Sequence, residues 1–446
     1  MYRIAYEELL KWKDSPGRKP LIVEGARQVG KTYLLREFGK KEYKNMIYVN
    51  CDNNPEIQDL FVDYNIDRII RFLSSLYATK ISEEDTLIIF DEVQEHPRGL
   101  AALKYFCEDS NYSVAVAGSL LGLSLHEGTG FPVGKVDIIN LYPLSFEEFL
   151  LAFGQDILVE ELNNGSLQEN AMYTHMMEDY LRQYYYVGGM PKVVDQYVHS
   201  ADILNVRKTQ MEILESYQKD FSKHTTKNMA VRINAVWKSL PSQLAKENKK
   251  FIFGHVREGA RAKDFEDAIY WLEEAGLVHK VSRVTKICEP LKFYEDIRSF
   301  KLFCCDIGLL GALVDAKAAS FLANKSGFVE YKGAFTEQFV AQEFIANNGG
   351  KNLFYYTKDN SRLEVDFLFE KERLYLVEVK AEKNLCSKSL STALEMNNQA
   401  IGLRYSMAGY EKQEQLVNIP LSFAGFSLKR DYPEIGKDRK EVDRER

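Results

Sequence analysis

The hydrophobic positions in the first third of the chain form short continuous runs, separated by stretches with helical spacing. A continuous apolar run bounded by polar residues is typical of a parallel strand that is buried on both faces. The segment after the first run, residues 33–38, predicts a helix that ends near Gly39. Strands that alternate with helices predict an α/β fold with a parallel sheet. The five predicted strands are residues 20–23, 46–50, 86–92, 113–117 and 136–141.

The next part of the chain, residues 143–225, carries apolar residues at helical spacing and predicts a helical connector. Gly188, Gly189 and Pro191 must interrupt it, because glycine opens φ and proline lacks an N–H donor. We expect a rigid turn between helices at this point rather than chemistry.

Residues 226–310 predict helices at 231–244 and 264–275, followed by hairpin strands at 277–284 and 291–293. Helices before a small hairpin indicate a winged-helix-like module, which could place one helix in a DNA groove. The helix at 264–275 is acidic, however, and its face would be repelled by phosphate. A module for packing or for protein contact is therefore the alternative interpretation.

The C-terminal part predicts a helix at 333–346 and strands at 364–369 and 374–380. Beyond residue 428 the chain mixes charges with little apolar content, which predicts a disordered tail. We predict an ATPase-type sheet domain, a helical connector, a winged-helix-like module, a restriction-endonuclease-like α/β domain and a tail. Their predicted boundaries are 1–150, 151–225, 226–325, 326–428 and 429–446.

Charge and composition narrow the class of protein. The formal net charge is −7, from 58 basic and 65 acidic residues, which does not suggest a basic coat for nucleic acid but leaves a local basic groove open. The six cysteines show no C-x-x-C spacing, as expected of free thiols in a reducing cytoplasm. We find neither a signal-peptide pattern nor an apolar stretch of about twenty residues, so we expect a cytoplasmic protein that does not span a membrane.

Residues 25–32 read G-A-R-Q-V-G-K-T, a complete G-x-x-x-x-G-K-[ST] phosphate loop between a predicted strand and a predicted helix. Its glycines let the backbone aim N–H groups at phosphate oxygens, and the helix N-terminus adds partial positive charge. Lys31 is expected to reach the β- and γ-phosphates, and the Thr32 hydroxyl to ligate Mg²⁺. The predicted nucleotide-binding residues are Gly25, Ala26, Arg27, Gln28, Val29, Gly30, Lys31 and Thr32.

The third and fourth predicted strands end in residues suited to nucleotide hydrolysis. Asp91 is placed for a carboxylate associated with Mg²⁺, and Glu92 for a general base that polarises water. Ser119, just after the fourth strand, is a candidate for binding the attacking water or the γ-phosphate. The alternative is a serine that caps the next turn.

The strings GARQVGKT, LIIFDEVQ, VAGSLLG, LYPLSFEEFL and YVGGMPKVV resemble a family of bacterial and archaeal AAA-type ATPases with a C-terminal domain of unknown function. The resemblance covers most of the chain and implies ATP and Mg²⁺ as cofactors, residues 25–32 as the Walker A loop, and Asp91 and Glu92 as the Walker B pair. Many relatives have an arginine before the fifth strand, where this chain has Lys135. Either Lys135 substitutes, or another arginine does, or hydrolysis is slow. Sequence does not rank Arg27, Arg98 and Arg182 for this role.

Carboxylates in the C-terminal part resemble the PD-(D/E)xK nuclease core. Asp366, followed by Glu378 and Lys380 on an adjacent predicted strand, has the required order, although Val365 replaces the proline of the motif. By this resemblance Asp366 and Glu378 would hold Mg²⁺, Lys380 would position or help deprotonate water, and Glu337 would lie nearby. The alternative is two solvated strand faces with a Glu–Lys pair.

Two functions follow from these patterns. One is an ATPase coupled to a metal-dependent, nuclease-like domain that acts on DNA. The other is an ATP-driven switch whose C-terminal half binds a protein or DNA partner without cutting. An oligomer is compatible with both.

Overall fold

The computed structural model of this protein forms two compact units, Met1–Tyr142 with Tyr270–Leu277, and Pro143–Ile269 with Val278–Arg446. The domain boundaries given above stay predictions. The residues described by the structure are 1–52, 54–118, 131–223, 225–246, 249–322, 332–348, 352–358, 363–383 and 388–432.

The first unit contains a parallel five-stranded sheet in the order β2-β3-β4-β1-β5, which confirms the predicted α/β class. The inner strands β1, β3 and β4 are buried along most of their length, as the continuous apolar runs predicted, whereas the edge strands β2 and β5 are only partly buried. The strands are β1 (Leu21–Glu24), β2 (Asn45–Asn50), β3 (Thr86–Asp91), β4 (Ser113–Ala117) and β5 (Asp137–Asn140).

Helices of this unit pack their apolar stripe on the sheet. Ile66, Ile69, Ile70 and Leu73 are buried at helical spacing in the core beside β2, β3 and β4. The predicted helix stop at Gly39 is wrong, because the helix continues to Glu42 and Gly39 packs against Met46. The helices are α1 (Ala5–Asp14), α2 (Lys31–Glu42), α3 (Ile66–Leu76) and α4 (Pro97–Asp109).

The second unit begins with the predicted helical region. The break expected at 188–191 is confirmed, since one helix ends at Val187 and the next begins at Pro191. The helices are α5 (Phe146–Ala152), α6 (Asp156–Asn164), α7 (Leu167–Asn170), α8 (Thr174–Val187), α9 (Pro191–Ser200), α10 (Ile203–Lys223), α11 (Lys227–Leu244) and α12 (Phe253–Val256). The next helix, α13 (Ala262–Glu274), begins in the second unit, and its residues from Tyr270 onward belong to the first.

A mixed eight-stranded sheet follows, in the order β12-β13-β11-β10-β9-β8-β6-β7. The pairs β6–β8, β10–β11 and β11–β13 are parallel, and the other neighbours are antiparallel. The strands are β6 (Val278–Val284), β7 (Glu295–Cys304), β8 (Phe354–Thr357), β9 (Glu364–Glu370), β10 (Leu374–Val379), β11 (Ile401–Ser406), β12 (Glu411–Lys412) and β13 (Leu416–Pro420).

The hairpin predicted after the helix at 264–275 exists, but its second strand begins later than expected. Residues Leu291–Tyr294 form a 3-10 turn, and β7 starts at Glu295, so the strand predicted at 291–293 is wrong. The two strands form one edge of the large sheet, because β6 also pairs in parallel with β8. The hairpin is thus part of the same sheet as the C-terminal strands.

Helix α16 (Lys332–Asn348) is buried from Phe335 to Ile345, and three of its polar side chains bond backbone groups of other segments. Gln338 accepts from the Cys304 amide at 2.9 Å and donates to the Cys304 carbonyl at 2.7 Å. Gln342 accepts from the Ile307 amide and Glu343 from the Phe146 amide, at 2.9 and 2.8 Å. We call Gln338, Gln342 and Glu343 the α16 polar cluster. The remaining helices are α14 (Ile307–Leu313), α15 (Ala318–Leu322), α17 (Lys388–Met396) and α18 (Ala424–Leu428).

The turn after α8 is built against the start of α14. Asp306 caps α14 through the Leu309 amide and also accepts from the Gly189 amide. Gly188 has φ +75°, and a Cβ there would lie 2.3 Å from Asp306 Oδ1. Position 188 therefore requires glycine for both its backbone conformation and the approach of the carboxylate.

We expect Gln342→Ala to lower the free energy of unfolding by about 2–3 kcal/mol, because it leaves the buried Ile307 amide unsatisfied and opens a cavity. Urea denaturation of the full chain measures the change. Gln413→Ala is the matched control, since Gln413 is exposed and, among the described residues, its side chain bonds Glu411 alone. Equal midpoints for the two variants would contradict the structural role of Gln342.

Glu343 makes stability depend on pH. Burial raises the pKa of Glu343 to about 8, and the nearby Glu147 and Glu148 add to this shift. The folded protein keeps this proton where the unfolded chain has lost it, so stability falls as pH rises from the ordinary glutamate pKa to about 8. We expect the wild type to lose roughly 2–3 kcal/mol relative to Glu343→Gln between pH 5 and pH 7. Parallel pH curves from urea denaturation of the two proteins would argue against a protonated Glu343.

Candidate functional site

The phosphate loop connects β1 to α2, as the sequence predicted. Gly25 has φ +152°, and a Cβ there would come within 2.1 Å of the Leu141 carbonyl oxygen. Gly30 is the N-cap of α2 with φ 96°, so the helix begins directly at Lys31. The loop residues thus lead into a helix N-terminus, the arrangement that favours phosphate groups.

Lys31 is buried and held by its own loop. Its Nζ donates to the carbonyls of Gly25 and Ala26, both at 2.9 Å. Burial lowers the pKa of Lys31 to about 8, although the carboxylates of Glu92 and Asp91 act in the opposite direction. The ammonium group is thus held by the loop carbonyls and stabilised electrostatically by the two carboxylates at the end of β3.

The end of β3 brings hard oxygen donors to the start of α2. Thr32 donates its hydroxyl hydrogen to Asp91, whose two carboxylate oxygens both lie 3.0 Å from Oγ1. Tyr48, on the adjacent strand β2, donates to Asp91 Oδ2 at 2.6 Å and fixes the carboxylate. A hydroxyl and a carboxylate in contact are the donor types that suit Mg²⁺ beside a nucleotide.

Glu92 follows β3 in a left-handed conformation, with φ 52° and ψ 40°. Its amide donates to the Ala117 carbonyl at 2.9 Å, which links the end of β3 to the end of β4. A positive φ is uncommon for a side chain of this kind and is found at sites where the fold fixes a direction. Ser119, the remaining predicted catalytic residue of this sheet, lies outside the described residues.

Two residues that support the site, one at the loop and one at Asp91, were not identified from the sequence. Arg3 donates to the Val29 carbonyl at 2.7 Å and to the Tyr142 carbonyl at 2.6 Å, so it joins the loop to the chain after β5. Tyr48 holds Asp91 from the neighbouring strand. No motif marks either residue, because each contact spans a long sequence separation.

Lys135, which replaces the arginine of many relatives, forms an ion pair with Glu108 Oε1 at 2.8 Å. Arg98 donates to the Val62 carbonyl at 3.4 Å, and Arg182 pairs with Asp179 at 3.1 Å. These contacts leave the identity of an arginine finger open.

The C-terminal carboxylates lie around a buried lysine. Lys301 Nζ is 2.9 Å from Glu364 Oε1 and 3.6 Å from Glu337 Oε2, and Lys249 also pairs with Glu337. Although burial opposes it, the ammonium groups of Lys301 and Lys249 lower the pKa of Glu337. Burial raises the pKa of Asp366 to about 7, with a further contribution from Glu337. Glu337 on helix α16 and Asp366 on β9 thus interact electrostatically with each other and with both lysines.

Glu378 has cationic partners of its own. Its Oε1 lies 3.0 Å from Lys380 Nζ, and its Oε2 lies 3.6 Å from the buried Arg404 Nε. The amide of Val379 donates to Asp366 Oδ2 at 2.8 Å, which ties Asp366 to the strand that carries Glu378. Lys301, Lys249 and Arg404 were not identified from the sequence, because no spacing connects them with the carboxylates.

Among the described residues, no group of three or more histidine, cysteine, aspartate or glutamate side chains is gathered in a way that could hold a metal ion. The assignment of Asp366, Glu378 and Glu337 as metal ligands therefore stays a prediction. Within the same described part of the chain, no helix is both long enough and apolar enough to cross a membrane.

Comparison with protein families divides the chain into three matched segments. Residues 17–150 match a family model described as an AAA domain. Residues 178–320 and 332–423 match two models described as domains of unknown function, DUF8612 and DUF4143. No curated protein matches the chain.

Several solved structures are distantly similar. A Walker-type ATPase of Pyrococcus abyssi is 14% identical, with 70% of this chain and 95% of that chain covered and a TM-score of 0.43. The Aeropyrum pernix Orc1 protein in complex with DNA is 11% identical, with 72% and 94% covered and a TM-score of 0.28. The Thermotoga maritima RuvB Holliday junction branch migration motor is 10% identical, with 62% and 89% covered and a TM-score of 0.29.

The matched AAA domain contains the whole phosphate loop and the Asp91–Glu92 strand end. Loop, strand order and carboxylates agree with the chemistry of nucleotide hydrolysis. The protein is an ATPase that matches an AAA domain over residues 17–150, and its other matched segments correspond to domains of unknown function.

Proposed function

We propose that the protein couples ATP hydrolysis to a C-terminal domain that binds or cleaves DNA with a divalent metal ion. The observation that carries the C-terminal half of this proposal is the hydrogen bond from the Val379 amide to Asp366 Oδ2, 2.8 Å long. This bond holds Asp366 beside the strand that leads through Glu378 to Lys380. The PD-(D/E)xK core has its aspartate, glutamate and lysine in the same order along the chain.

In the ATPase site the roles follow from the contacts described above. Thr32 and Asp91 would hold Mg²⁺, which supplies counter-charge to the phosphates when bound. Lys31 supplies a fixed positive charge for the β- and γ-phosphates, and Arg3 keeps the loop in place. Glu92 takes the proton of the attacking water, because it follows directly after Asp91, the carboxylate at the end of β3 that accepts from Thr32.

The pair of variants Glu92→Gln and Lys31→Ala tests these roles. We expect Glu92→Gln to bind ATP and to lose turnover by about 10²–10⁴-fold, since only the general base is removed. Lys31→Ala should lose binding or turnover, because the charge over the phosphates is gone. Nucleotide affinity and phosphate release are measured for both. Unchanged turnover in Glu92→Gln would refute the general-base assignment.

A second candidate function is an ATP-driven switch whose C-terminal half binds a protein or DNA partner without cutting. The buried cations favour it: Lys301 and Lys249 already neutralise Glu337, and Arg404 lies against Glu378. Carboxylates compensated in this way can serve binding or stability in place of metal ligation.

Asp366→Ala distinguishes the two functions. If the domain cleaves DNA, Mg²⁺- or Mn²⁺-dependent nicking disappears in this variant, because a predicted metal ligand is removed. Several DNA forms are assayed with and without ATP, with Glu395→Ala as an exposed control from the same domain.

Cleavage that persists in Asp366→Ala, after contaminating nuclease has been excluded, would end the nuclease proposal. Absence of cleavage in the wild type, together with ATP-dependent binding of DNA or a partner, would select the switch.

A further inference from the structure

The basic residues of this acidic protein are concentrated in one segment. Residues 223–263 contain ten Lys and Arg against two Asp and Glu, although the whole chain has a net charge of −7. Helix α11 lies within this segment and has no acidic residue at all. A local excess of basic residues creates a positive surface potential even in a protein whose net charge is negative.

The exposed face of α11 carries Lys227, Arg232 and Lys238. At 100° per residue the three side chains lie within an arc of roughly 140°, and Lys227 and Lys238 are about 16 Å apart along the axis. In the part of the chain that the structure describes, no acidic side chain forms an ion pair with any of them. These three cations are thus available to an anionic partner. We call them the α11 basic face.

The buried side of α11 makes this face rigid. Ile233, Val236, Trp237 and Leu240 are fully buried, and Trp237 packs edge-on against Tyr217 and Phe221 of α10. The Thr226 side chain caps the helix by accepting from the Met229 amide. The basic face is therefore presented on a fixed element and does not have to be ordered on binding.

We propose that the α11 basic face binds the phosphate backbone of duplex DNA without reading its sequence. The evenly spaced phosphates of a duplex are complementary to rigidly held cations on one exposed helix face. Single strands are held through exposed aromatic platforms, and the aromatic residue of α11, Trp237, is buried. A membrane-binding helix exposes a broad apolar face, whereas Val231 is the one large apolar side chain exposed on α11, all of whose residues are described.

This interface differs from the one that helix order alone suggested. Helix α13 follows α12 in the position of a recognition helix, but it exposes Glu266 and Asp267. The cations lie on α11 instead. The proposal rests on the proposed function in its choice of DNA as partner, but it does not require cleavage.

The test is the triple variant K227Q/R232Q/K238Q, in which glutamine keeps the helix propensity and removes the charge. Binding of a fluorescein-labelled duplex of random sequence is measured by anisotropy across a KCl series, in EDTA so that cleavage cannot interfere. We expect the slope of log affinity against log salt to become shallower by roughly 2.7, the value for three lost phosphate contacts. Affinity for a duplex of another sequence should fall equally.

The matched control K192Q/K208Q/K292Q removes three exposed lysines elsewhere in the same unit and should leave both affinity and slope unchanged. Equal thermal midpoints of the two triple variants show that folding is intact. The proposal is overturned if K227Q/R232Q/K238Q binds duplex like the wild type, or if the wild type prefers single strands or phosphatidylserine vesicles to duplex.

Two separate assays distinguish this proposal from the nuclease proposal: Asp366→Ala tests cleavage in Mg²⁺, and K227Q/R232Q/K238Q tests duplex affinity in EDTA. Binding through α11 without cleavage in Mg²⁺ would leave the interface standing while the nuclease proposal fails. If the wild type cleaves DNA and K227Q/R232Q/K238Q binds duplex like the wild type, the nuclease proposal stands and the α11 interface fails.

Discussion

Helix α16 is buried from Phe335 to Ile345, so the polar side chains in this stretch need partners within the protein. The α16 polar cluster meets this requirement by bonding backbone groups at Cys304, Ile307 and Phe146. These positions lie far apart in sequence, and one helix fixes all of them. Because an unsatisfied buried amide costs about 1–3 kcal/mol, the arrangement of the second unit depends on this set of contacts.

Both candidate sites use buried lysines next to carboxylates. Lys31 is compensated by loop carbonyls and by the carboxylates at the end of β3, and Lys301 by Glu337 and Glu364. In the first case the partners are mainly backbone oxygens, so the charge remains available to phosphate. In the second case the partners are carboxylates, so the charges largely cancel. The same side chain therefore supports nucleotide binding in one unit and a compensated cluster in the other.

The chemistry of the first unit was largely readable from sequence because its residues adjoin one another in short motifs. Gly25, Lys31 and Thr32 occur within eight residues, and Asp91 follows a continuous apolar strand. The end of helix α2 at Glu42 and the start of β7 at Glu295 were not predicted correctly from the sequence. Packing against neighbouring strands overrode the local glycine and apolar signals at these positions. Arg3 and Tyr48 were also missed, because their partners are distant in sequence.

The sequence by itself determined the phosphate loop, the Asp91–Glu92 strand end and the positions of Asp366 and Glu378 on two consecutive strands. Those features depend on residue type, on φ restrictions and on strand alternation, which are local properties. Only the tertiary structure decided that β6 and β7 belong to the C-terminal sheet, and that Lys301, Lys249 and Arg404 surround the carboxylates. Sheet membership and buried ion pairs join residues far apart along the chain, and no periodicity in the sequence specifies which distant partner each strand or charge will meet.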